Sequence, residues 1–99
     1  MEILHFALKL VPNRPDFAFS MTAEEKNIMQ AHIAYWAELM KKEVVIVLGP
    51  VMDPAGPYGL SVVRVSSEEE VKQFIKDDPA STINRYEYYP MRAVTPMHS

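Results

Sequence analysis

The sequence predicts an α+β fold with two helices on one face of a four-stranded antiparallel sheet. Four short runs of alternating or β-branched apolar residues are typical of strands, and two segments open with the spacing of a capping box, which marks the start of a helix. The six segments follow in the order β-α-β-β-α-β, which is that of a ferredoxin-like unit. We therefore expect one ferredoxin-like α+β domain.

The first strand is predicted at Ile3–Val11, where the side chains alternate in character. Pro12 and Pro15 end it. The connection Val11–Ser20 is long for a domain of 99 residues, and such connections tend to be functional or disordered. Its two phenylalanines favour an ordered loop that folds onto the protein.

The first helix is predicted at Met21–Lys42. Thr22 and Glu25 have the spacing of a capping box, and acidic residues in the first turn suit the positive end of the helix dipole. Apolar residues recur at helical spacing and are expected to pack as a stripe: Ile28, Met29, Ile33, Tyr35, Trp36, Leu39 and Met40.

The next two strands form a predicted hairpin. The β-branched run Glu43–Val47 is typical of a buried strand, and Gly49 and Pro50 are expected to stop it. After a turn rich in glycine and proline, Leu60–Val65 returns as the third strand.

The second helix begins at the capping box formed by Ser67 and Glu70. Asp78 ends it, because the residue before a proline is pushed out of the helical region. The last strand is predicted at Arg85–Arg92. The domain is then expected to span residues 1–93, with 94–99 as a mobile C-terminal tail.

Composition indicates a small cytoplasmic protein. A hydrophobic content of 48% in 99 residues allows one core, and the absence of cysteine fits a reducing compartment. The net charge is −3 without a Lys/Arg cluster, which argues against nucleic acid as a partner. No apolar run is long enough for a bilayer and the N-terminus lacks the pattern of a signal peptide, so no membrane partner is expected.

The predicted order of elements leaves one face of the sheet uncovered. A domain this small exposes much apolar surface, and two sheets packed face to face would bury it. We therefore expect a homodimer of the dimeric α/β-barrel type.

His32 interrupts the apolar stripe of the first helix, which makes it the first candidate for a catalytic residue. Asp78 is the candidate partner, because a carboxylate bonded to one ring nitrogen fixes the tautomer and leaves the other nitrogen to move a proton. The alternative is that His32 is a satisfied core or interface residue and that Asp78 only terminates its helix.

Four residues are considered for contacts with a substrate. Gly49 and Pro50 lie where the chain can bring its backbone close to a ligand. Arg14, in the long connection, offers a guanidinium for a substrate carboxylate, as does Arg92, although a solvated surface arginine is the favoured interpretation of each. The tyrosines of the last strand, together with Trp36 and Phe74, are expected to pack the core rather than line a pocket.

No cofactor is expected. His5 has no acidic neighbour at the spacing of a metal site and His98 lies in the tail, so the sequence carries no metal signature. It also lacks a glycine-rich phosphate loop and a nucleophile elbow.

Several short motifs, in this order, resemble the YciI-like (YCII-related domain) family. They are GPVMD at 49–53, YG at 58–59, SSEEEV at 66–71, DDPA at 77–80 and YEYYPM at 86–91. The resemblance implies a ferredoxin-like fold in a dimeric α/β barrel, and an active-site histidine and aspartate that fall on His32 and Asp78. The sequence departs from the family pattern at Glu43, where glycine is common, and at Ala80, where phenylalanine is common.

The leading functional hypothesis is a cofactor-free enzyme that acts on a small metabolite. In it, His32 is the general acid or base and Asp78 orients it, as isomerase, lyase or dehydrochlorinase chemistry requires. The main alternative is a non-catalytic dimeric module that binds a small ligand or a protein. A cofactor-free oxygenase is a third, weaker hypothesis.

Overall fold

The computed structural model describes residues 3–96 and confirms the α+β fold. Within that range four strands form one antiparallel sheet in the order β2-β3-β1-β4, consistent with a ferredoxin-like topology. The strands are β1 (Leu4–Val11), β2 (Val45–Val51), β3 (Tyr58–Val65) and β4 (Arg85–Met91). The helices are α1 (Phe17–Ser20), α2 (Ala23–Lys41) and α3 (Glu68–Asp77), with a 3₁₀ helix at Pro79–Thr82. No helix in residues 3–96 has the length and hydrophobicity needed to cross a membrane.

The core lies between the sheet and the longer helices. Alternate residues of β1 are buried on this side, as its periodicity predicts. The core residues are Phe6, Leu8, Trp36, Leu39, Val45, Val63, Val65 and Val71. The expectation that the whole apolar stripe of the first helix packs inward was wrong for Ile33 and Met40, which are 61% and 41% exposed. The buried line of α2 runs through Trp36 and Leu39, and Ile33 lies to one side of it.

Two prolines lie inside strands, and one of them, Pro50, corrects a predicted strand boundary. Gly49 and Pro50 do not stop β2; the strand continues through them to Val51, and Pro50 pairs with Gly59. Pro90 likewise lies within β4. Both strands are at the edges of the sheet. A proline is tolerated there, because its missing N–H is not needed by an outer neighbour.

The face of the sheet away from the helices carries a mixture of charged and apolar side chains. The register places His5 beside Arg64 and Lys9 beside Glu87 on this face. Val47, also on it, is half exposed. The homodimer stays a prediction. So does the mobile tail, of which residues 97–99 lie outside the described range.

The connection after β1 contains α1, and one of its two phenylalanines folds onto the protein as predicted; the prediction was wrong for Phe19, which is 76% exposed. Phe17 is buried, and Arg14 holds the segment against α2. The guanidinium donates to both carboxylate oxygens of Glu25, at 2.8 and 3.0 Å, and to the Ser20 carbonyl at 2.8 Å. These charge-assisted bonds, with the Thr22 backbone bond, lower the pKa of Glu25 to about 2.

Helix α2 ends in a Schellman motif. The N–H of Glu43 donates to the Met40 carbonyl and the N–H of Val44 donates to the Leu39 carbonyl, both at 3.0 Å. Glu43 is left-handed, with φ of 63°. Glycine is the residue that adopts this conformation without steric cost, so Glu43 carries backbone strain where the resembled family commonly has glycine.

We expect Glu43→Gly to stabilise the protein by about 0.5–1 kcal/mol, because it removes that strain. The matched control is Glu38→Gly, in the last turns of α2, which is expected to destabilise the protein by about 1 kcal/mol. Urea unfolding followed by circular dichroism measures both. A loss of stability in Glu43→Gly would contradict the assignment of a strained helix end.

Candidate active site

His32 and Trp36 occupy one side of α2. They are four residues apart, so their side chains lie one turn above each other. The helix begins at Thr22, whose hydroxyl accepts from the Glu25 N–H at 3.1 Å, while the Glu25 carboxylate accepts from the Thr22 N–H at 2.9 Å. This capping box, predicted from the sequence, sets the start of the helix.

Asp78 lies at the junction of α3 and the 3₁₀ helix. It ends the first and caps the second, with extended backbone angles (φ −72°, ψ 124°) that point the chain away from α3. Its carboxylate accepts from the Ala80 N–H at 2.9 Å, and its side chain has no exposed surface. Asp78 therefore does end its helix, as the alternative interpretation predicted, but its side chain also makes other hydrogen bonds.

The Asp78 carboxylate brings His32, Trp36 and Tyr86 together. His32 Nδ1 lies 2.8 Å from Oδ2 and 3.0 Å from Oδ1. Trp36 Nε1 donates to Oδ2 at 2.8 Å, and the Tyr86 hydroxyl donates to the same oxygen. With the Ala80 N–H, four donors satisfy a fully buried anion, which is the condition for burying one without a large loss of stability.

These bonds decide the charge of the cluster. Burial by itself would raise the pKa of the Asp78 carboxyl, but the hydrogen bonds from His32, Tyr86 and Trp36 outweigh burial and hold that pKa below its ordinary value. For Tyr86, burial and the adjacent carboxylate raise the pKa of the phenol, which stays protonated and donates. The cluster therefore holds an ionised aspartate at neutral pH.

The ionised carboxylate also fixes the tautomer of His32. A carboxylate only accepts hydrogen bonds, so Nδ1 carries the hydrogen in the neutral ring and Nε2 keeps its lone pair. The His32 side chain is 12% exposed and lines a cavity of about 230 Å³ between α1, α2 and the end of β2. Nε2 makes no hydrogen bond within residues 3–96 and is available to a molecule in that cavity.

The cavity walls are mainly apolar. Phe17 and Ala18 of α1, Met29 and Ile33 of α2, and Leu48 of β2 contribute to them. Its polar residues are His32, Tyr58, Ser61, Asn84 and Tyr86. Gly49 and Pro50 both line this cavity, and their contact with a ligand stays a prediction.

Arg14 is not among the cavity-lining residues. Its guanidinium is hydrogen-bonded to Glu25 and Ser20. The hydrogen bond to the Glu25 carboxylate is the main reason that the pKa of Arg14 is raised. A role in binding a substrate carboxylate stays a prediction, and it would require breaking these bonds. Arg92 is exposed beyond the end of β4. In the described part of the chain, no group of three or more His, Cys, Asp or Glu residues could hold a metal ion.

The roles of Trp36 and Tyr86 were missed by sequence reasoning, which assigned both to the core. Trp36 is indeed in the core, and its ring packs edge-on against Tyr35 at 5.4 Å between centroids. The signal for a polar role was its position four residues after His32. Ser61 and Asn84 carried no motif, and only the folded register shows them beside the cavity.

We expect Tyr86→Phe to cost roughly 1.5–3 kcal/mol of stability at pH 7, because it removes one donor from a buried carboxylate. Tyr88→Phe is the control on the same strand and face, since that hydroxyl donates to the exposed Glu68; its cost should be within about 0.5 kcal/mol. Urea unfolding at pH 7 and pH 3 provides the measurement.

The pH dependence of this difference follows from the lowered pKa of Asp78. The stability contributed by the ionised carboxylate is present above the unfolded pKa of about 3.9 and is lost as pH falls through the folded pKa. The gap between wild type and Tyr86→Phe should therefore narrow in acid. A gap that stays unchanged once the pH is low enough to protonate the Asp78 carboxyl would mean that the Tyr86 hydroxyl does not act through the Asp78 charge.

Comparison with known proteins agrees with the resemblance noted from the motifs. A comparison with curated proteins finds no match. The family model of the YCII-related domain matches residues 6–95, which includes every strand and helix described above except the first two residues of β1. A match over nine-tenths of the chain shows the family, and the chain belongs to the YCII-related domain family.

Proposed function

We propose that this protein is an acid–base enzyme that acts on a small metabolite through His32 and Asp78. The proposal rests on one observation. The Nδ1–H of His32 donates to the buried Asp78 carboxylate at 2.8 Å, and His32 also lines a cavity. A histidine with only a structural role has no need of a cavity beside its second nitrogen.

The reaction class that such a pair supports is proton transfer at carbon next to a carbonyl. Nε2 of His32 takes the proton, the C–H bond breaks, and its electron pair moves to the carbonyl oxygen to give an enolate. Where a C=C bond is conjugated with the enolate, the imidazolium then returns the proton to the far carbon of that system and the C=C bond shifts, which is an isomerisation. Alternatively the enolate electrons expel a leaving group such as chloride from the neighbouring carbon and the imidazolium releases its proton to water, which is an elimination. Neither sequence needs a metal or an organic cofactor.

Asp78 acts in this scheme as a positioning residue. Its side chain has no exposed surface, so it does not touch the substrate. It holds the imidazole in one tautomer and stabilises the imidazolium that forms during proton transfer. A well-placed acid–base group contributes roughly 10²–10⁴-fold to the rate.

We further propose that the protein works in the cytoplasm as a homodimer, without nucleic acid or membrane as a partner. The lack of cysteine and the net charge of −3 without a basic cluster support this setting. The sheet face away from the helices, where Val47, Tyr89 and Met91 are 50%, 57% and 42% exposed, supports a second copy as the covering partner.

A non-catalytic binding module is the second candidate function. The observation in its favour is that every hydrogen-bonding position of Asp78 is used inside the protein, as in a purely structural cluster. In that case the cavity would hold a ligand without changing it, and His32 would serve only to satisfy the carboxylate.

We expect His32→Ala and Asp78→Asn each to lower turnover by about 10²–10⁴-fold. The measurement is exchange of α-protons for deuterium in D₂O, followed by proton NMR across a panel of small ketones, aldehydes and keto acids. His5→Ala is the matched control, because His5 lies on the opposite face of the sheet and should leave exchange unchanged.

Full exchange in either variant would contradict the mechanism. If no member of the panel exchanges in the wild type while His32 signals shift on ligand addition, the binding module is the better description. Circular dichroism and size-exclusion chromatography on each variant separate a loss of turnover from a loss of fold or assembly.

A further inference from the structure

Ser61 is a polar cavity residue that the proposed mechanism does not use. It lies in β3, paired with Leu8 of β1 and Leu48 of β2, and is 4% exposed. Its hydroxyl forms no hydrogen bond within residues 3–96. In the same range, every side-chain nitrogen or oxygen that is fully enclosed has a hydrogen-bond partner, so the Ser61 hydroxyl is not fully enclosed. The hydroxyl is therefore open to the cavity that it lines, and a buried hydroxyl in an apolar wall needs a partner there.

The other buried polar groups of the cavity are already bonded. The Asn84 side chain accepts from the Asn13 N–H at 3.1 Å and points its amide at Met29 Sδ, 3.7 Å away. The Tyr86 hydroxyl donates its hydrogen bond to Asp78. Ser61 thus presents a buried hydroxyl to a molecule that also reaches His32.

The cavity also limits the charge and the size of its ligand. None of the side chains that line it belongs to Lys, Arg, Asp or Glu. A charged group would lose its water there without a permanently charged side chain to pair with, which is costly. The volume of about 230 Å³ lies below the roughly 300–1,000 Å³ of pockets for drug-sized ligands, so the ligand is small.

We propose that the cavity binds a small uncharged carbonyl compound and that the Ser61 hydroxyl donates to its carbonyl oxygen. The binding part of this inference stands on the cavity alone. Its catalytic part rests on the proposed function: when His32 takes the α-proton, negative charge develops on the oxygen that Ser61 holds, and a donor at that oxygen stabilises the enolate.

Three probes of similar shape test the binding. Acetophenone has the carbonyl, ethylbenzene lacks the oxygen, and benzoate is charged. We expect wild type to bind acetophenone at least about tenfold more tightly than benzoate, because no permanently charged side chain lines the cavity. Ser61→Ala should weaken acetophenone roughly three- to tenfold and leave ethylbenzene unchanged. Affinities come from NMR titration of the full chain.

Ser66→Ala is the control, because Ser66 is exposed at the start of α3 and bonds to Glu70. It should change none of the three affinities. The assignment of Ser61 is overturned if Ser61→Ala binds acetophenone as wild type does, or weakens ethylbenzene equally. Tight binding of benzoate, or no binding of acetophenone to wild type, overturns the uncharged carbonyl class.

Deuterium exchange on acetophenone separates this inference from the proposed function. Ser61-dependent binding with no exchange in wild type would refute the acid–base reaction and leave the ligand class standing. Exchange that depends on His32 but not on Ser61 would leave the acid–base reaction and the ligand class standing and refute the assignment of Ser61. When both hold, Ser61→Ala should slow exchange at saturating acetophenone as well as weaken binding.

Discussion

The carboxylate of Asp78 is the point at which three parts of the fold are tied together. It receives donors from α2, from β4 and from the 3₁₀ helix that follows it. A buried anion that loses a partner costs several kcal/mol, so the positions of these elements depend on one another. The Asp78 carboxylate holds helix α2 against β4, an edge strand of the sheet. The same carboxylate fixes the position of the His32 imidazole, which lines the cavity.

The site separates charge from substrate space. The negative charge lies behind the ring of His32 and is enclosed by protein, whereas the cavity in front of the ring has walls without formal charge. In such a low-dielectric space a proton that moves to Nε2 is stabilised by a carboxylate that no ligand displaces. The cluster can therefore support proton transfer while the cavity selects its ligand mainly by shape and by one hydroxyl.

Much of the fold was predictable because its signals are local. Strand alternation and the cap of Thr22 depend on residues a few positions apart, and the structure confirms them. His32 and Asp78 are 46 positions apart, so the sequence could suggest that they pair but could not establish it. Trp36 and Tyr86 were assigned to the core because their rings do pack there, and a buried ring hides what its polar atom bonds.

Other features depended on tertiary context. Pro50 was expected to end a strand, and it does not, because β2 lies at an edge. The exposure of Ile33 follows from how α2 is rotated on the sheet, which its periodicity does not determine. Ser61 gained a place beside the cavity only through the register of β3 with its neighbours.

The prolines in the two edge strands have a consequence for how the protein meets other chains. Pro50 and Pro90 each remove a backbone donor from an outer rim and place a ring there. A strand from another chain that pairs with β2 or β4 would lack one backbone hydrogen-bond donor at the proline. Both edges of the sheet therefore resist the strand-by-strand extension that leads to fibrils. Association is thereby directed to the faces of the sheet, where side chains rather than backbone decide which partner fits.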